Sequence, residues 1–252
     1  MRTLVTGASS GIGEAVSRIL YSKGHEVILV ARRMDRLEAI IDELIQQDSA
    51  GRDRLRPLQV DLSDLDALRQ LTDRVGEIDI LVNNAGGALG LSPAQEASLE
   101  DWLSMIAVNV TGLVALTHSL LPAMVSRGTG LIINLGSVAG EYPYPGGNVY
   151  GACKAFVRQL SLNLKADLIG TGVRVTNIEP GMVGETEFSL VRFQGDSEAA
   201  DAVYAGMQPL TPADIASLVS YIVDLPSHVN INTVSLMPTD QGFGPFKVAR
   251  SS

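Results

Sequence analysis

Thr6-Gly7-Ala8-Ser9-Ser10-Gly11-Ile12-Gly13 follows directly on a short apolar run, residues 3–6, and leads into a helical stretch over residues 11–23. Three glycines in eight residues permit a tight turn and let the backbone come close to a ligand. A helix that starts on them turns free N–H groups and the positive end of its dipole toward an anion. Between a strand and a helix, that combination reads as a dinucleotide pyrophosphate site. The spacing is GxxxGxG, not the commoner GxGxxG. Its position therefore carries the reading more than the glycines themselves.

Outward from this turn the alternation repeats. Apolar, β-rich runs fall at residues 27–30, 58–61, 80–83, 131–135, 173–178 and 234–237. Helical patterns fall at 34–47, 64–75, 99–126, 149–168 and 211–225. Seven strands separated by helices predict an α/β, Rossmann-type, doubly wound seven-stranded parallel sheet, one domain over residues 1–252. Only residues 182–208 break the rhythm, and a connection that long in a compact domain is expected to be a substrate lid.

Composition narrows the partners. The 252 residues are 46% hydrophobic, enough for a large core, and 19 Lys+Arg against 28 Asp+Glu leave a formal charge of −9. An acidic chain with no basic run argues against nucleic acid or an anionic membrane, since both need a cationic face. One cysteine, Cys153, forms no intrachain disulfide, and CxxC or HExxH metal spacing is absent. No metal site is expected. The opening Met1-Arg2-Thr3-Leu4-Val5-Thr6 lacks the basic flank and apolar stretch of a signal peptide, and no apolar run approaches the ~20 residues that span a bilayer. These features predict a soluble, cytoplasmic protein.

The second strand exits as Val30-Ala31-Arg32-Arg33. An acidic residue there would bind the adenosine ribose hydroxyls of NAD, whereas two guanidinium groups suit a 2′-phosphate. NADP is the expected cofactor. The alternative is that both arginines only solvate the start of the next helix.

Three further signals follow: Asn83-Asn84-Ala85-Gly86, Ser137 after the fifth strand, and Tyr150-Gly151-Ala152-Cys153-Lys154 opening a helix. Tyr150 and Lys154 are four residues apart and share a helix face, where an ammonium can favour a phenolate over the ordinary phenol pKa of ~10. Tyr150 then serves as general acid or base, and Ser137 stabilises charge developing on the substrate oxygen. Cys153 reads as part of an apolar stripe with Val149, Phe156, Leu160 and Leu164, facing either the core or a second subunit. His25, His118 and His228 share no ligand spacing.

Taken in order, these motifs resemble the short-chain dehydrogenase/reductase family. TGxxxGxG stands at Thr6 to Gly13, NNAG at Asn83 to Gly86, the catalytic Asn at Asn109, YxxxK at Tyr150 to Lys154, and a PG turn at Pro180-Gly181. The resemblance implies an oxidoreductase with Asn109, Ser137, Tyr150 and Lys154 as its catalytic set. It gives Lys154 a second task on the nicotinamide ribose, and has Asn109 kink its helix and hold a water that links Lys154 to solvent. It implies cofactor contacts at Gly7, Ser9, Ser10, Gly11, Ile12, Gly13, Arg32, Arg33, Asp61, Leu62, Asn83, Ala85 and Gly86. Further contacts are Tyr150, Lys154, Pro180, Gly181, Met182, Val183 and Thr186.

Longer stretches resemble the bacterial NADP-dependent 3-hydroxy acid dehydrogenases. They are Tyr142-Pro143-Tyr144-Pro145-Gly146-Gly147-Asn148-Val149-Tyr150, Ile178-Glu179-Pro180-Gly181-Met182-Val183 and His228-Val229-Asn230-Ile231-Asn232-Thr233. That resemblance implies small anionic substrates: serine, allo-threonine, 3-hydroxypropionate or malonic semialdehyde. The lid holds five acids, Glu185, Glu187, Asp196, Glu198 and Asp201, but one base, Arg192. Arg192 is expected to hold the substrate carboxylate beside Ser137 and Tyr150; the alternative is an ion pair with a lid acid. Tyr142, Asn148 and Phe188 are candidates to shape the rest of the pocket. Rival readings are a reductase of bulkier ketones or acyl-carrier substrates, or a non-catalytic NADPH-binding sensor. The resemblance also implies a homotetramer, with residues 149–168 and 230–252 as interface material.

Overall fold

The computed structural model describes residues 1–243, the side chains of residues 49 and 50 excepted. Seven strands form one parallel sheet in the order β3-β2-β1-β4-β5-β6-β7. They are β1 (Arg2–Thr6), β2 (Glu26–Ala31), β3 (Leu55–Gln59), β4 (Ile80–Asn83), β5 (Gly130–Leu135), β6 (Val173–Pro180) and β7 (Thr233–Leu236). The order reverses between β1 and β4. Ligands of such sheets bind at that switch point, beyond the carboxyl ends of the strands.

Alternate strand residues feed two cores, as parallel strands buried on both faces require. Val5, Leu29, Val82 and Ile133 pack under α1 (Gly11–Ser22), α2 (Met34–Gln47) and α9 (Pro212–Asp224). Leu4, Ile28, Leu81, Ile132 and Val175 pack under α3 (Leu65–Val75), α5 (Leu113–Arg127) and α6 (Asn148–Asp167).

Three expectations shift. The third strand begins three residues earlier than its apolar pattern suggested and contains Pro57, which stands opposite Leu29. β3 is an edge strand, where a missing N–H leaves no ladder bond unmade. The expected helix over 99–126 is α4 (Leu99–Ile106), a π-helical turn (Ala107–Gly112) and α5 in unbroken succession. By length and composition this one helix, Leu99–Arg127, could cross a membrane, contrary to the expectation that no apolar stretch approaches that length. Here Leu113, Leu116, Leu120 and Met124 are buried in the core.

Residues 182–208 hold two short helices, α7 (Phe188–Arg192) and α8 (Ser197–Ala202). The segment is pinned at its base, where Val183 bridges Leu210 and the Gly184 N–H donates to the Leu210 carbonyl at 2.8 Å. On α6 the stripe named from sequence divides. Cys153 is buried, whereas Phe156 points outward, 41% exposed. The other expected interface stretch, residues 230–252, lies partly outside the described residues.

Candidate active site

The β1–α1 turn is built as its glycines require. Gly7 and Gly11 take left-handed φ of 65° and 55°, and a Cβ on Gly13 would lie 2.2 Å from the Gly7 carbonyl oxygen. Two residues outside the expected contact set brace the turn. Thr6 Oγ1 accepts the N–H groups of Asn84 and Ala85, both at 3.0 Å, and Asn84 Nδ2 donates to the carbonyls of Thr6 and Gly7. Both stand inside the quoted motifs, so their signal was present and their bracing role was not. The Asn83 side chain instead enters the core, donating to Thr117 Oγ1 and Asn134 Oδ1. Its backbone is what remains for a cofactor.

Ser9 and Ser10 lie under the second arginine, with Arg33 Nη2 3.3 and 3.2 Å from their hydroxyls. Arg33 is already engaged by a carboxylate. The Glu187 carboxylate takes both of its terminal nitrogens, at 3.0 and 2.6 Å. Arg32 makes no ion pair among the described residues, and Asp61 Oδ1 accepts the Ser63 N–H and hydroxyl. Leu62 lies against Gly112, where a Cβ would come within 2.3 Å of its carbonyl oxygen. Pro180 ends β6, and the Gly181 N–H donates to the Leu236 carbonyl. The Met182 N–H donates to Gln241, Val183 is in the basal bridge, and Thr186 packs on Gly11. A glycine cradle, a helix N-terminus and two arginines fit a phosphorylated dinucleotide.

At the carboxyl ends of β4 and β5 the catalytic candidates converge. Ser137 caps a short 3₁₀ turn, its Oγ accepting the Ala139 N–H at 3.1 Å and donating to the Pro180 carbonyl at 3.5 Å, beside the buried Tyr150. Lys154 Nζ is 5.8 Å from the Tyr150 ring centre and donates to the Leu135 carbonyl at 2.8 Å. Asn109 lies in the π turn. Its Nδ2 donates to the carbonyls of Gly87 and Met105, and its Oδ1 accepts the Gly87 N–H. Gly86 makes that approach possible, because a Cβ there would be 2.4 Å from Asn109 Oδ1 and 3.5 Å from Lys154 Nζ.

The electrostatics differ from the spacing argument. Burial pushes the Tyr150 hydroxyl above the ordinary phenol range, and the Ser137 hydrogen bond and the Arg192 charge offset it only in part. Burial also lowers the Lys154 ammonium to about 8. Both shifts run toward the neutral form because removal from water dominates each; at neutral pH Lys154, at about 8, still keeps most of its charge. Tyr150 is thus held protonated.

Above Tyr150 sits α7 of the 182–208 segment. The Phe188 ring lies 5.7 Å from the Tyr150 ring, and the Arg192 guanidinium lies 5.9 Å from it. Arg192 Nε donates to the Gly90 carbonyl at 3.1 Å and Nη2 to the Tyr144 hydroxyl at 2.9 Å. Among the described residues it pairs with no carboxylate, so the lid ion pair weighed as the alternative does not form. Asp196 caps α8 and Glu187 binds Arg33. Tyr144, not singled out for the pocket, steadies Arg192. Asn148, which was, donates outward to the Ser92 carbonyl.

Fold and site define a nicotinamide-dependent oxidoreductase, and the chain belongs to the short chain dehydrogenase family, whose model matches residues 2–195. It is similar to the NADP-dependent 3-hydroxy acid dehydrogenase YdfG of Salmonella typhi, 51% identical over the whole of both chains. It is 49% identical to serine 3-dehydrogenase of Agrobacterium fabrum, covering 99% of this chain and 98% of that one. Among solved structures it is similar to the closed form of serine dehydrogenase complexed with NADP+, at TM-score 0.95 and 50% identity over the whole of both chains.

Proposed function

We propose that this protein is an NADP-dependent dehydrogenase of small 3-hydroxy acids, acting on the 3-hydroxyl or 3-oxo group of serine, allo-threonine, or 3-hydroxypropionate and malonic semialdehyde. One observation carries the substrate class. A guanidinium with no carboxylate partner among the described residues is held over the tyrosine that exchanges the substrate proton. A small acid spans that distance, with its carboxylate on Arg192 and its 3-oxygen on Tyr150 and Ser137. The relatives that act on serine and 3-hydroxy acids support the same reading, as does the NADP+ complex of similar shape.

NADP, when bound, takes or gives the hydride at the substrate's C3. Tyr150 gives its proton to the oxygen in reduction and removes it in oxidation. Ser137 donates to the same oxygen as charge develops there. Lys154 moves the proton onward from Tyr150 and binds ribose hydroxyls, and Asn109 holds the Gly86-Gly87 backbone beside it. Arg32 and Arg33 meet the 2′-phosphate.

The assembly we propose is a homotetramer. Exposed Leu99, Leu103, Ile106 and Val114 on the long helix, with Phe156 and Leu162 on α6, are apolar surface suited to a second copy. The function is tested by following NADP+ reduction with serine, 3-hydroxypropionate, 3-hydroxybutyrate and a steroid alcohol. Turnover of the acids is expected, and turnover of the steroid alone would overturn the substrate class.

A further inference from the structure

The lid touches the cofactor end of the site as well as the catalytic end. Glu187 immediately precedes α7, and Arg192 is its last residue. Five helical residues span only about 7.5 Å, so this single rigid turn has a charged anchor at each end. Arg192 holds the end over Tyr150. At the other end Glu187 grips Arg33 with both carboxylate oxygens, and Thr186 packs on Gly11 of the glycine turn.

A carboxylate beside an arginine expected to read a phosphate is a poor arrangement for anion binding unless the arginine serves both. Arg33 has the donors to do so. Glu187 occupies the Nη1–Nη2 edge. Nη2 also reaches Ser9 and Ser10, while Nε–H has no partner among the described residues. Glu187 and the two serines take both Nη2 hydrogens, so Nε–H is the donor that remains for an anion at the glycine turn. Arg32, unpaired among the described residues, adds a second cation against the one carboxylate.

We propose that Glu187 is a positioning residue that ties lid closure to the cofactor's 2′-phosphate. A phosphate on the Arg33 Nε–H fixes the Arg33 side chain, and a fixed Arg33 offers Glu187 a preorganised fork. Closure of α7, and with it delivery of Arg192 to the substrate, is then more favourable with NADP than with NAD. Discrimination between the cofactors is expressed in the substrate site as well as in cofactor affinity. The inference rests on the NADP reading above.

The experiment is amide hydrogen exchange of residues 186–203 with saturating NADP+ or NAD+, after dissociation constants for both have been measured by fluorescence titration. In the parent, NADP+ is expected to slow lid exchange about two- to fivefold more than NAD+, the scale of an exposed bidentate pair. In Glu187→Gln the two cofactors should protect the lid equally, and Glu187→Asp should restore part of the difference. Equal protection in the parent, or a difference that survives in Glu187→Gln, overturns the proposal while leaving NADP specificity intact. Equal dissociation constants in the parent would instead overturn the NADP reading, and the inference with it.

Discussion

Adding one methyl group at Gly86 should damage the catalytic corner, whereas the same methyl at Gly87 should not. A Cβ on Gly86 would stand 2.4 Å from Asn109 Oδ1, where ordinary contact begins at 3.4 Å, while a Cβ on Gly87 meets nothing within 4 Å. Neither residue has positive φ, so the comparison isolates packing from backbone strain. To open the gap by the roughly 1 Å needed, Asn109 must withdraw from Gly87, breaking bonds of 2.9 and 3.3 Å. Overpacking costs about 1–3 kcal/mol and each buried hydrogen bond lost adds about 1 kcal/mol. Gly86→Ala is therefore expected to cost about 3–5 kcal/mol, a fall in Tm of roughly 6–20 °C for a chain of this size. Gly87→Ala should be neutral or stabilise by up to ~1 kcal/mol through the unfolded chain. Scanning calorimetry without cofactor measures both. Equal Tm values for the two variants would refute the packing argument for Asn109 and Lys154.

Replacing Arg32 and Arg33 together by Ala should reduce the preference for NADPH over NADH at least tenfold, the scale of one lost charge-assisted bond. Competitive binding of the two cofactors measures it, and an unchanged ratio would return both arginines to a solvating role. Lys154, lowered by burial from 10.5 to about 8, binds fewer protons folded than unfolded between those pH values. Stability should therefore rise from pH 8 toward 10.5. Lys154→Met should lack that rise in urea titrations across the window, and parallel pH profiles for the two proteins would contradict the burial argument.

Much of the molecule could be read before its coordinates, because the informative residues act locally. The glycine turn, the Tyr150 to Lys154 spacing and the apolar strands each announce themselves within a few positions. Reading failed where a neighbour distant in sequence decides. The third strand was expected to start after Pro57, at residue 58, because the edge position that tolerates a proline is a property of the whole sheet. The Arg33–Glu187 pair has no local signal because its partners lie 154 residues apart. The Asn83 side chain faces the core because Thr117 and Asn134 wait there, which no local pattern records. The Tyr150 to Lys154 spacing gave the geometry but omitted the burial that raises one group and lowers the other.

In the proposed function Arg192 selects a carboxylate for Tyr150 to act beside. Initial rates of the parent and Arg192→Ala, with 3-hydroxypropionate and its uncharged amide at saturating NADP+, test it directly. Removing one charged hydrogen-bonding partner is worth about 1.5–3 kcal/mol. kcat/KM for the acid should fall roughly 10- to 100-fold, while the amide and the KM for NADP+ change little. An equal fall for acid and amide, or no fall for the acid, would contradict the account.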